Sequence, residues 1–402
     1  MAGNVHSTGY DHPWSCTQCG VCAAVCPTGA IHQQPRRHGY VYPVVDAGKC
    51  NNCGLCVQCC PGPRVVEQEE RFPSPAEERR LYGPFETAFL AHASDEQLRW
   101  RGSSGGVVTA LLVHLLQSGA IKGAIVTDAG GDRCLPRTFV ATTVDEILGA
   151  TGSKYCLTSI GQAVRALAEM PEGQYAAVGL PCQIQGLWKA EQQLKWLREK
   201  IGLRIALFCA GTRDTRYRSA LVARMGLREE DLAEFSFRGD GWPGSISART
   251  AAGSAVRLES ADKWVRQQFD ISARIPPRCL LCDDPLGAFA DIAVGDPWKL
   301  GCEGDRAGQS LAVLRTPRGN EAFARAEQCG SLATSRELGK SEVAVSQEGI
   351  LWRRYYSGGR IKLAALWSPV WREARKGMPA PRMVDLLKAA RILAVRVIGP
   401  GQ

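Results

Sequence analysis

Apolar residues in the middle of the chain recur in two rhythms. Residues 107–119, VVTALLVHLLQSG, carry them at helical spacing and stop at Gly119, which predicts a helix. Three shorter runs are almost continuously apolar: GAIVTD at 123–128, YAAVGL ending at Leu180, and IGLRIALFC closing on Cys209. These read as buried strands, and the second leads straight into PCQIQGLWKAEQQL, a predicted helix. GQSLAVLRTPRG at 308–319 reads as a strand followed by a turn. Strand and helix patterns alternate, which suits an α/β layer fold over residues 85–330 with parts of about 85–165 and 166–330. Residues 67–84, EQEERFPSPAEERRLYGP, are charged, contain proline and have no period, so they read as a linker. Residues 331–402 read as a helical, basic tail ending in VDLLKAARILAVRVIG; packing on the body or a partner is the expectation, with a membrane surface as the alternative.

Residues 1–66 have no such rhythm and take their order from cysteine. Nine of the 17 cysteines precede residue 61. Cys16, Cys19, Cys22 and Cys26 follow C-x2-C-x2-C-x3-C-P, and Cys50, Cys53, Cys56 and Cys60 repeat it. Three thiolates on one tight loop reach three irons of a cube, and the fourth iron needs a ligand from elsewhere. With the fourth cysteine exchanged, as in two-cluster ferredoxins, Cys16, Cys19, Cys22 and Cys60 form one 4Fe-4S set and Cys50, Cys53, Cys56 and Cys26 the other. Zinc is the competing reading, set aside by two complete copies of the pattern with its proline. Gly20 and Gly54 leave room for backbone amides beside the sulfides. Cys59 is surplus, and a buried bystander is the expectation. Residues 1–66 thus predict an α+β ferredoxin-like module.

The N-terminus has no basic start followed by an apolar run, and 107–121 is too short and too interrupted by His114 and Gln117 to span a membrane. A reducing cytoplasm is the expected compartment. The formal charge of +9 suggests nucleic acid at first sight, yet Lys and Arg are scattered among acids. Three cubanes at about −2 each would bring that charge to about +3. Nucleic acid is therefore not an expected partner.

Ser103, Ser104, Gly105 and Gly106 precede a predicted helix, where free amides favour an anion such as a pyrophosphate; plain N-capping is the alternative. Cys182 and Cys209 follow predicted strands, and Cys279 and Cys282 form C-x2-C. Strand ends in an open α/β sheet converge on one edge. These four could close a third cubane, or else be structural thiols beside a zinc-like pair.

The ordered motifs SSGGVVTALLVHLL, GSKY (152–155), VGLPCQIQGL, LFCAGT, FRGDGWPG, C-x2-C and ADIAVGDPW resemble the coenzyme F420 hydrogenase/dehydrogenase beta-subunit family, which is also similar to 7-hydroxymethyl chlorophyll a reductase. The resemblance covers about residues 85–330. It implies an α/β flavin-binding body holding FAD, a third 4Fe-4S cluster on Cys182, Cys209, Cys279 and Cys282, and electron exchange between coenzyme F420 or another organic substrate and iron–sulfur carriers. Ferredoxin or a partner redox subunit is the implied partner. A flavin accepts electrons in pairs and passes them on singly, whereas a cubane takes one. The flavin contacts implied are Ser103, Ser104, Gly105 and Gly106 with Gly152, Ser153, Lys154 and Tyr155. Lys154 is the candidate catalytic residue, stabilising negative charge on a reduced ring. Trp242 and Trp298 are candidate stacking partners, Arg315 a candidate for a substrate anion, and Asp291 and Asp296 either orient the site or form turns. Nothing in the chain resembles a nickel or molybdopterin site. The competing functions are a ferredoxin-dependent reductase of another molecule and a non-catalytic electron-transfer subunit.

Overall fold

The computed structural model describes residues 15–62 and 82–355. Its centre is an eight-stranded mixed sheet. The parallel strands β4 (Gly123–Asp128), β6 (Tyr175–Gly179), β7 (Ile201–Leu207) and β11 (Ile292–Gly295) lie side by side in that order. Antiparallel strands extend both edges: β5 (Arg137–Ala141) beyond β4, and β12 (Ser310–Leu314), β3 (Thr87–Ala93) and β13 (Leu332–Leu338) beyond β11. A separate three-stranded sheet is built from β8 (Leu232–Gly239), β9 (Ser245–Thr250) and β10 (Ala255–Glu259). A short hairpin, β1 (Ile31–Pro35) with β2 (Val41–Val45), joins the two cysteine loops.

The central strands are apolar throughout because helices cover both faces. Ala124, Val126, Leu203, Ile205, Ile292 and Val294 point into a core shared with the predicted helix, here Val107–Gln117. Their neighbours Ile125, Ala177, Ala206 and Ala293 point the opposite way, into a core with helix Pro181–Gln193. Val21, Val25, Cys19 and Cys59 belong to that second core. The cysteine-rich segment is therefore embedded in one face of the sheet.

Close backbone approach explains the fit. Gly20 and Gly161 lie so near that a Cβ on Gly161 would stand 2.3 Å from the Gly20 carbonyl oxygen. The Ile160 amide and Ser159 hydroxyl both donate to the Cys19 carbonyl, at 3.0 and 3.2 Å.

The expected helical tail from residue 331 is corrected by β13, an edge strand whose seven residues offer too short a pattern to separate from helix by period alone. Helix Lys340–Tyr355 follows it. VDLLKAARILAVRVIG lies outside the described residues, as do residues 67–81 of the expected linker. Arg315 is likewise corrected: it is buried, and its guanidinium donates to the carbonyls of Tyr82, Pro84 and Leu286, so it fastens the chain entering the body and faces no substrate.

Asp291 is fully buried between β7 and β12. Its carboxylate accepts from the Arg204 amide at 2.8 Å, the Arg204 guanidinium, the Thr316 hydroxyl at 2.9 Å and Arg318 at 3.0 Å. Burial pushes its pKa up, but Arg204 and Arg318 outweigh that and hold it below the usual carboxylate range. A depressed carboxylate stabilises the fold above its unfolded value and loses that contribution as pH falls through the folded one. Asp291→Ala leaves Arg204 buried without this partner and is expected to cost about 3–5 kcal/mol, read as a lowered urea midpoint by circular dichroism at neutral pH.

Candidate functional site

A cavity of about 380 Å³ opens at the carboxyl ends of the parallel strands. Thr127, Gly179, Leu207 and Gly295 form its floor, placed there by β4, β6, β7 and β11. Ligands in open α/β sheets bind at this edge. Ser103, Ser104 and Gly106 line one side and Gly152, Ser153, Lys154 and Tyr155 another, so the two predicted loops meet around one space. Gly105 stands just behind, packed so closely on Gln309 that a Cβ would approach its Cα to 2.8 Å. Gly105 and Gly106 have φ of 76° and 75°, which glycine adopts without strain and which lets the loop turn into helix Val107–Gln117. The Ser153 amide donates to the Ser103 hydroxyl at 2.8 Å, and that hydroxyl donates to the Arg238 carbonyl. Ser310 donates to the Ser104 carbonyl.

Lys154 turns back on its own loop. Its Nζ donates to the carbonyls of Ala150, Thr151 (3.0 Å) and Gly152 (2.9 Å), which occupies all three ammonium protons. The side chain thus closes the end of helix Val144–Gly149 and shapes the cavity wall.

Two lining residues, Arg238 and Gln347, were not among the residues singled out in the sequence, and both bear on Asp296, which was. Arg238 is buried and forms a two-pronged ion pair with Asp296, at 2.7 and 2.8 Å, while also touching the Tyr155 hydroxyl at 3.3 Å. The same Asp296 accepts from Trp242 Nε1 at 2.8 Å. Asp296 is thus an anchor rather than a turn residue. Trp242 is buried, whereas Trp298 is 42% exposed at the cavity wall, with ring centres 5.0 Å apart. Gln347 reaches in from the last helix and donates to the Asp296 carbonyl at 2.7 Å.

The cysteines gather in three sets. Burial, then the charges of Cys19, Cys60 and Cys16, pushes the Cys22 thiol well up. Cys56 is raised by burial and by Cys26, Cys53 and Cys50. Cys182 is raised by burial, Cys279 and Cys209, with Cys282 also in reach. Cys60 thus lies within electrostatic reach of Cys19 and Cys22, and Cys26 within reach of Cys56. Thiols crowded in dry places oppose their own ionisation, and a cationic metal core reverses that balance, so the donor sets suit clusters. Among the described residues no group of three or more His, Cys, Asp or Glu closes on a single-ion site, and a four-iron cube spreads its thiolates around a wider perimeter. Cys59 is fully buried in the core, where desolvation pushes it to about 12. Cys209 also lines the cavity, which joins the third set to it.

Comparison with known proteins matches residues 88–165 to the coenzyme F420 hydrogenase/dehydrogenase beta subunit N-terminal region and residues 173–338 to its C terminus, together more than half of the chain. Residues 15–62 match a 4Fe-4S dicluster domain. The chain belongs to the coenzyme F420 hydrogenase/dehydrogenase beta-subunit family. Among relatives of this beta-subunit family, it is 29% identical over 334 residues to coenzyme F420-dependent sulfite reductase of Methanocaldococcus jannaschii, covering 76% of this chain and 45% of that protein. It therefore spans less than half the length of that relative. It is 25% identical over 268 residues to coenzyme F420 hydrogenase subunit beta of Methanothermobacter thermautotrophicus, covering 63% of this chain and 85% of that one. A chain of the F420-reducing NiFe hydrogenase complex from Methanosarcina barkeri shares the fold, with a TM-score of 0.54, 22% identity, and coverage of 71% of this chain and 94% of that one. No helix among the described residues is long and apolar enough to cross a membrane.

Burial pulls Lys154 down to about 8, against the opposing pull of the Asp128 carboxylate. Between that value and the unfolded lysine value of about 10.4, the unfolded chain holds a proton that the folded one has released, so stability climbs with pH. Lys154→Met is expected to remove that climb, seen by comparing urea midpoints of the two proteins from pH 7 to pH 10.

Proposed function

We propose that this beta-subunit-type chain exchanges electrons between coenzyme F420, or a related organic hydride carrier, and iron–sulfur partners, using FAD in the cavity and three 4Fe-4S clusters. The observation that carries this reading is the junction at Cys209, which lines the cavity and stands within electrostatic reach of Cys182. When bound, FAD supplies the exchange between paired and single electrons. The residues fit such a group: the Ser103–Gly106 loop offers amides at the start of an eleven-residue helix, and the positive φ of Gly105 and Gly106 lets the loop make that turn beside the cavity. Gly152, held against Ser103 through the Ser153 amide, keeps the facing loop close. Lys154 supplies positive charge to the wall, although its protons are held by carbonyls, so its role is to shape the field rather than to deliver a proton. Trp298 presents an exposed indole on which a planar ring can stack.

The thiol sets lie in series. Cys182 is within reach of Cys19, and Cys22 within reach of Cys56. The order outward from the cavity is therefore the set at Cys182, Cys209, Cys279 and Cys282, then Cys16, Cys19, Cys22 and Cys60, then Cys50, Cys53, Cys56 and Cys26. Cys53 in the last set is exposed, which suits delivery to an external carrier.

Anaerobically reconstituted protein is expected to hold about twelve irons and one FAD. Reduced coenzyme F420 should bleach the flavin and cluster absorbance in stopped flow. Bleaching by dithionite alone, with cofactors intact, would favour a ferredoxin-fed reductase of another substrate. Cys182→Ser is expected to lose about four irons and keep the other eight; loss from the N-terminal sets instead would overturn this grouping.

A further inference from the structure

The loop that leaves β7 carries Cys209, Ala210, Gly211 and Thr212 along the cavity. Thr212 is half-buried, and its hydroxyl oxygen lies 3.9 Å from Cys279 Sγ. In the metal-free protein either atom can donate this hydrogen bond. Once Cys279 is a thiolate ligand it has no proton, and the hydroxyl alone can donate. The Gly211 amide gives Cys209 Sγ a similar bond at 3.3 Å.

The loop is held firmly. Arg213, fully buried, donates to the carbonyls of Gly211 and Thr212 and, through Nε, to that of Phe269, while its guanidinium lies 3.7 Å from the centre of the Phe269 ring. The backbone that carries Thr212 is thereby held in place, with the Thr212 hydroxyl within reach of the Cys279 sulfur.

We propose that Thr212 is a positioning residue that raises the reduction potential of the cluster on Cys182, Cys209, Cys279 and Cys282 by donating its hydroxyl to Cys279 Sγ. This rests on the third-cluster reading. Reduction adds negative charge to the cluster, and a donor aimed at a ligand sulfur stabilises the reduced form more than the oxidised one. Removing the donor lowers the potential and leaves the two N-terminal clusters unaffected.

The test is an anaerobic redox titration of the reconstituted protein, followed by electron paramagnetic resonance, with iron counted in every sample. The wave missing from Cys182→Ala identifies the third cluster. Thr212→Val keeps the shape and removes the hydroxyl; its third-cluster wave is expected to fall by about 59 mV, a tenfold change in the one-electron equilibrium. Thr212→Ser retains the hydroxyl and is expected to return the wave to its original position. An unchanged or raised wave in Thr212→Val, with about twelve irons present, overturns the role of Thr212 alone. About eight irons in the unsubstituted protein overturns the third cluster and this inference with it.

Discussion

Two buried cations fasten the cysteine loops to the body, and the arrangement of the site follows from them. Lys189, on helix Pro181–Gln193, donates to the Cys60 carbonyl at 2.9 Å. Arg278, beside Cys279, donates to the Gly62 carbonyl at 2.7 Å. Both side chains are buried, so each must be compensated by what surrounds it. Carbonyls supply part of this. Burial raises the nearby thiols, and the two cations work against it: Lys189 on Cys19, Cys59 and Cys60, and Arg278 on Cys60 and Cys282. The same charges that pin the loops also make the place between the first and third sets habitable for anionic groups. Position and electrostatics are here one device.

The cavity depends on a second set of long-range ties. The sheet brings four strand ends to one edge, but loops from residues 103 and 153 must still be held against each other and against Arg238. The Arg238–Asp296 pair does this from below, bringing the three-stranded sheet to the end of β11 and taking Trp242 with it. Asp291 plays the equivalent part deeper in the sheet, where Arg204, Thr316 and Arg318 converge on one carboxylate. The two acids hold different partners, Asp291 within the sheet and Asp296 at its rim.

The cysteine spacing and the apolar strand runs were legible in the sequence because their information is local: a loop of fixed length, or a run of fixed period. The Ser103 and Gly152 loops were singled out only through family resemblance, as contacts of one ligand, since fifty residues separate Ser103 from Ser153 and no local pattern links them. What escaped reading is non-local. Arg315 looked like a candidate for a substrate anion because its carbonyl partners lie more than two hundred residues away or on another loop. Asp296 before Pro297 looked like a turn residue because Arg238 and Trp242 reach it from a different sheet. β13 was hidden by its length, and Thr212 by its ordinary chemistry, which gains meaning only from the sulfur opposite it.

The burial of Val21, Val25 and Cys59 in the second core has a consequence for how this polypeptide can be taken apart. A ferredoxin segment hung on a linker could be exchanged for another with a better-matched potential. This one supplies part of the lining of the sheet, and its Gly20 meets Gly161 with no room for a Cβ on either side. Cutting it away would uncover an apolar surface facing helix Pro181–Gln193, and a transplanted ferredoxin would have to reproduce both the hydrophobic contacts and the glycine contact before a single iron was loaded. The electron wire and the scaffold are the same object, and neither is a removable part.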